Sequence, residues 1–186
     1  MKYEKIDVIN VVNYWLNNEK PFNASIDLNE PMCWGCNQIW NGTYDRIRGD
    51  YRKAWNRAPL QVCHVVPKSL GGTNEPSNLV LMCKECHDLA PNTVIPEIMF
   101  TWMSKQSSFK RYLSKIKTAM EDFGILEEEF EHLISLSKDA EFLEWVADKA
   151  GQHWPQSGYS GLGQKMTFST YVGLLKWYSD NRVDAL

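Results

Sequence analysis

The sequence predicts an α+β protein, a small finger of two strands and a short helix set in a mostly helical chain. Three observations carry this. Leu60 to Val66 (LQVCHVV) is rich in β-branched residues and stops at Pro67, and Leu79 to Met82 is a second short apolar run, so both read as strands. Cys33-Trp-Gly-Cys36 and Cys83-Lys-Glu-Cys86 are two cysteine pairs with metal-ligand spacing. In most of the remainder, apolar residues recur with helical period.

The elements follow in order. Glu4 to Asn18 is a predicted helix, with Val8, Val11, Val12 and Trp15 on one face. The loop PFNASIDLNEPM leads to the first cysteine pair. Residues 37–59 are polar, basic and aromatic without a clear period, so no element is assigned there. KSLGGTNEPSN is a loop by its Gly, Pro and Asn content. Cys83 to Leu89 is a short helix bounded by Pro91.

Beyond it, Phe109, Tyr112, Leu113, Ile116, Met120 and Phe123 form a stripe, with Gly124 where a C-cap belongs. Leu126, Phe130, Leu133 and Ile134 form a second stripe. Ala140, Leu143, Ala147 and Ala150 form a third, stopped by Gly151. A last helix runs from about Thr167 to Asp180. The Gly-rich GYSGLGQK before it follows no strand, which argues against a phosphate-binding turn. The expected organisation is a helix and loop over 1–30, the finger core over 31–95 and a helical extension over 96–186.

Composition bounds the function. The chain has 186 residues, 44% hydrophobic and 23% charged, with a formal net charge of -3. Total charge therefore does not announce a polyanion binder. Residues 31–95 nevertheless carry seven Lys/Arg against five Asp/Glu, while 96–186 carry ten against thirteen. Phosphate binding needs local positive charge, not a positive total. MKYEKIDVINVVNYW lacks the pattern of a secretory leader, and no apolar run reaches the roughly 18–20 residues that span a bilayer. A cytoplasmic protein without membrane contact is expected, in which five cysteines read as metal ligands or free thiols.

Two residues between cysteines let both thiolates face one ion, and two such pairs complete a tetrahedral shell. Cys33, Cys36, Cys83 and Cys86 are therefore expected to hold a structural Zn²⁺, which contributes on the order of 10–16 kcal/mol of apparent folding free energy. Between and after the pairs stand His64, Pro67, Gly71-Gly72, Asn78-Leu79 and Cys86-His87. In this order and spacing, the segment from Cys33 to Pro91 resembles the HNH endonuclease family, whose fold is a ββα-metal finger.

The resemblance implies a metal-dependent endonuclease that hydrolyses DNA phosphodiester bonds by nicking or double-strand cleavage. It maps the family's three name-giving residues onto His64, Asn78 and His87. His64 would be the general base, which suits an imidazole whose ordinary pKa is about 6.5. Asn78 would orient it, and His87 would hold the catalytic divalent ion, Mg²⁺, Mn²⁺, Co²⁺ or Ni²⁺. The residues alone leave His87 open as a zinc ligand and Asn78 open as a turn cap. The family often carries Asp or His just before the base. Here Cys63 stands there, a soft ligand that suits Mg²⁺ poorly. It is either a ligand of a softer catalytic ion, a bystander or a mark of reduced activity.

Tyr44 to Arg57 interleaves cations with aromatics. Arg46, Arg48, Arg52, Lys53 and Arg57, with Lys68, are candidates for DNA phosphate contacts, against a solvated face as the plainer alternative. Lys110, Arg111, Lys115 and Lys117 form a second basic face. A single finger offers one centre, so cutting both strands requires a homodimer or two nicks. The rival reading is a non-catalytic zinc-stabilised nucleic-acid-binding module, and a third is a ribonuclease or toxin. By analogy alone the family points to a bacterial or phage enzyme of restriction, homing or packaging type.

Overall fold

The computed structural model describes residues 6–40, 49–147, 149–150 and 166–182. Strand β1, Leu60–His64, pairs antiparallel with β2, Leu79–Cys83, in a two-stranded sheet. Leu60 lies opposite Cys83 and His64 opposite Leu79. β2 reads LVLMC and is buried throughout, so it shows no polar alternation. β1 ends two residues before the predicted Val66. The Val66 backbone is bound by a side chain, Asn78, and the regular ladder stops there.

Helix α1, Val8–Asn17, starts at Asp7, whose carboxylate accepts the Ile9 N–H at 2.9 Å. It buries Ile9, Val11, Val12 and Trp15, adding Ile9 to the predicted face and leaving Val8 at its edge. The Trp15 indole donates to the Leu79 carbonyl at 2.7 Å, tying α1 to the start of β2.

Helix α2, Tyr51–Arg57, lies in the stretch left unassigned by the sequence. Asp50 caps it, accepting from the Lys53 N–H at 3.1 Å. Its buried residues, Ala54 and Trp55, are adjacent, so no period of 3.6 develops. Helix α3, Lys84–Leu89, follows β2 directly. Helix α4, Pro96–Lys105, begins at a proline, where the missing N–H costs nothing, and buries Met99 and Met103. Phe100 lies 6.0 Å from Phe22 and 6.3 Å from Trp15, ring to ring. The segment after 95 thus begins inside the core that α1 and β2 share.

The chain divides into two contact units, Met1–Ser108 and Phe109–Leu186. The second is helical among its described residues: α5 (Ser108–Asp122), α6 (Phe130–Leu136), α7 (Ala140–Val146) and α8 (Phe168–Arg182). Gly124 closes α5 in the left-handed region at φ 63°, as expected of a C-cap. The core of this unit is Ala119, Ile125, Leu133, Phe142, Val146, Val172 and Leu175. Three predicted stripes are corrected. In the second, Leu126, Phe130 and Ile134 are exposed and only Leu133 is buried. In α7 the buried pair is Phe142 and Val146, and Leu143 is half exposed. In α5 Phe109 and Leu113 are exposed, and Ala119 is the buried residue. The GYSGLGQK segment and Gly151 lie outside the described residues. No described helix is long and apolar enough to cross a membrane.

Candidate functional site

The two cysteine pairs converge. The sulfurs of Cys33, Cys36, Cys83 and Cys86 all lie within 4.8 Å of one another, and all four residues are buried. Two local devices build this cluster. The Cys33–Cys36 turn is closed by Asn37, whose N–H donates to the Cys33 carbonyl at 2.8 Å from a left-handed φ of 59°, a conformation Asn tolerates. It is fixed to β2 by the Trp34 N–H, which donates to the Leu81 carbonyl at 2.9 Å. The second pair straddles the β2–α3 junction, where Cys83 is the N-cap of α3. Gly35 is required between them, because a Cβ there would lie 2.8 Å from the Cys86 sulfur.

The chemistry of the cluster fits a dication. The Cys83 N–H donates to the Cys33 sulfur at 3.2 Å and the Cys86 N–H to the Cys83 sulfur at 3.4 Å, contacts that favour thiolates. Hydrogen bonding from Cys33 holds Cys83 well below the ordinary thiol range and Cys36 at about 7. Bonding to Cys36 holds Cys33 high, and bonding to Cys33 does the same for Cys86. A zinc ion binding the four sulfurs would displace the protons the thiols carry. His87 is not part of this group.

His64 ends β1 half-buried, and its ring is held from the loop. Its Nε2 lies 3.0 Å from Asn74 Oδ1. Asn78 is committed elsewhere. Its Oδ1 accepts the Val66 N–H at 2.9 Å, and its Nδ2 donates to the Val66 and Thr73 carbonyls, both at 3.0 Å. Gly72 makes this clamp feasible, since a Cβ there would meet the Val66 oxygen at 1.7 Å and Asn78 Nδ2 at 2.9 Å. The sequence reading passed over Asn74. Its signal was slight, one asparagine in a Gly-, Pro- and Asn-rich turn.

His87 projects from α3, its side chain 39% exposed, with Nδ1 3.9 Å from Asp88 Oδ1. Among the described residues, no group of three metal-ligating side chains includes it. An ion there would draw on the imidazole and complete its shell with water and phosphate oxygens.

Cys63, the neighbour of His64, is 6% exposed and belongs to the hydrophobic core. It precedes His64 on the strand and so sits on the opposite face. Burial pushes its thiol up to about 11. A buried, protonated thiol is a poor metal ligand, which favours the bystander alternative.

Of the candidate DNA contacts, Arg52, Lys53 and Arg57 are exposed on α2, and Lys68 is exposed in a 3-10 turn after Pro67. The Arg52 guanidinium lies 5.7 Å from the Tyr51 ring centroid, and Lys53 pairs with Asp50 at 3.1 Å. Arg46 and Arg48 lie outside the described residues.

These features define a ββα finger with a four-thiol knuckle able to hold a metal ion, a histidine at the strand end and another on the following helix. Residues 50–92 match the HNH endonuclease family, which identifies that stretch, less than a quarter of the chain, as an HNH segment. The match contains His64, Asn74, Asn78 and His87. No curated protein and no solved structure matches the chain.

Proposed function

We propose that this protein is a metal-dependent endonuclease that hydrolyses DNA phosphodiester bonds at the finger. The observation that carries this reading is the family match over 50–92 together with an imidazole, His64, held by a side-chain hydrogen bond at the end of a strand whose partner runs into a four-sulfur cluster. His64 takes a proton from water. The oxygen attacks phosphorus, the bond to the 3′-oxygen breaks, and the leaving oxygen takes a proton from solvent. His87 would hold a divalent ion, which supplies charge stabilisation for the phosphorane and the leaving oxygen. The exposed cations Arg52, Arg57 and Lys68 would bind backbone phosphates, with Lys53 partly neutralised by Asp50. Cutting both strands takes two copies of the chain or two successive nicks.

A non-catalytic zinc-stabilised nucleic-acid-binding module is the second reading. What favours it is the burial of Cys63 in the core, which offers a catalytic ion no exposed ligand at the position before His64. Supercoiled plasmid incubated with Mg²⁺, Mn²⁺, Co²⁺ or Ni²⁺ separates the two. Nicking or linearisation that His64→Ala abolishes supports the nuclease. Binding without cleavage under every ion supports the module, and cleavage of structured RNA alone would move the substrate class.

A further inference from the structure

We infer that Asn74, not Asn78, is the positioning residue of the general base, and that it holds His64 with its proton on Nε2 and its basic lone pair on Nδ1. The inference rests on the reading of His64 as the base.

A side-chain amide carries two N–H donors and one carbonyl oxygen. Both donors of Asn78 are spent on the Val66 and Thr73 carbonyls, and its oxygen accepts from Val66 N–H. No N–H of Asn78 remains for the imidazole. Asn74 presents Oδ1 to His64 Nε2 at 3.0 Å. A carbonyl oxygen only accepts, so the facing ring nitrogen must carry the hydrogen. In a neutral imidazole the other nitrogen is then the base.

Asn74 is itself held in place. Asn78 Nδ2 fixes the carbonyl of Thr73, the residue before it. On the other side, the Glu75 N–H donates to Thr73 Oγ1 at 3.3 Å, and the Glu75 carbonyl accepts the Asn78 N–H at 2.9 Å. The residues on both sides of Asn74 are therefore pinned, directly or indirectly, by Asn78. Asn78 acts on the ring at one remove: it shapes the turn, and the turn presents the amide that selects the tautomer.

The test uses the whole protein with its zinc. His64 ring nitrogens are read by proton–nitrogen-15 correlation, and the signal missing from His64→Ala picks out His64 among the four histidines. In the neutral wild-type ring, Nε2 should be the protonated nitrogen. Asn74→Leu, similar in shape but without an acceptor, should lose that fixed tautomer and cut plasmid DNA about tenfold or more slowly, part of the 10²- to 10⁴-fold a general base supplies. Its KM and zinc content should be unchanged. Asn74→Asp keeps an acceptor and should restore both the tautomer and most of the rate. An Nδ1–H ring in the wild type, or an Asn74→Leu protein that keeps the Nε2–H tautomer and the wild-type rate, overturns the inference. His64→Ala cutting at the wild-type rate instead overturns the assignment of the base. The nitrogen spectra report on the Asn74 contact in either case, so the two failures are told apart.

Discussion

Asn78 and Val66 exchange two hydrogen bonds, with the Val66 N–H donating to Asn78 Oδ1 at 2.9 Å and Asn78 Nδ2 donating to the Val66 carbonyl at 3.0 Å. A side-chain amide thereby does what a facing peptide group does in an antiparallel pair. It continues the β1–β2 ladder past His64 and closes the loop. Asn78→Leu keeps a similar size and loses the acceptor and both donors, leaving the Val66 N–H and the Val66 and Thr73 carbonyls without Asn78. About 1–3 kcal/mol of stability should be lost. Amide exchange at Val66 should rise while exchange in the second unit stays unchanged.

Gly71 and Gly72 should respond unequally to substitution. Gly71 has φ 91° with nothing within 4 Å of an added Cβ, so Gly71→Asn meets backbone strain without a clash, and Asn is among the residues that tolerate the left-handed region best. Gly72→Ala places its Cβ against the Val66 oxygen and the Asn78 amide, so the backbone must shift. A loss of about 1–3 kcal/mol is expected. Thermal melts of the two variants side by side check this, and equal melting temperatures would contradict it.

Zinc occupancy should follow the four sulfurs. Elemental analysis should find close to one zinc per chain, and Cys36→Ser should lose it and unfold at a lower temperature. Gly35→Ala keeps all four cysteines but presses on the Cys86 sulfur. It should lower zinc affinity, measured by competition with a chromogenic chelator. A Cys36→Ser protein that is zinc-free and equally stable would refute the assignment.

Cys63 should be dispensable for cleavage. Cys63→Ala should cut plasmid at a rate close to wild type. Cys63→Asp buries a carboxylate in the core position of a thiol and should lower the melting temperature rather than turn metal preference toward Mg²⁺. A stable Cys63→Asp protein with enhanced Mg²⁺-dependent cleavage would show that this side chain does reach the ion.

Arg52→Gln and Arg57→Gln should each reduce the slope of log affinity against log salt by about 0.9 on duplex DNA, if each residue neutralises one phosphate. Lys53→Gln should change it less, because Asp50 already pairs with Lys53. A slope unchanged by all three would move the DNA off α2.

The finger was legible because its elements carry local chemistry. A β-branched run gave β1, a short apolar run gave β2, and the spacing Cys33-x-x-Cys36 and Cys83-x-x-Cys86 gave the sulfur cluster. What stayed hidden depends on tertiary placement. Helix α2 is short and buries neighbouring residues, Ala54 and Trp55, so it has no readable period. The core role of α4 comes from Met99 and Met103 meeting residues far away in sequence, and no local pattern marks Ser108 as the end of the first unit. At the site, motif order pointed to Asn78, but only three-dimensional proximity separates an amide that shapes a turn from one that touches a ring.

The sulfur cluster and His64 stand at opposite ends of the same five-residue strand pairing, with Leu60 opposite the ligand Cys83 and His64 opposite Leu79. Four steps of antiparallel strand put about 13 Å between the Leu60–Cys83 and His64–Leu79 pairs. A chelator should therefore silence this protein on two clocks. An ion held at half-exposed His87 would exchange with solvent directly, so cleavage should fall at once and return as soon as metal is added back. An ion in the four-sulfur cluster would be enclosed by cysteines no more than 5% exposed and should leave only when the core opens. Its departure unfastens the far end of the hairpin that carries His64. That second loss should be slow, should quicken with mild denaturant, and should be recovered by refolding with zinc rather than by adding back the ion that supports cleavage.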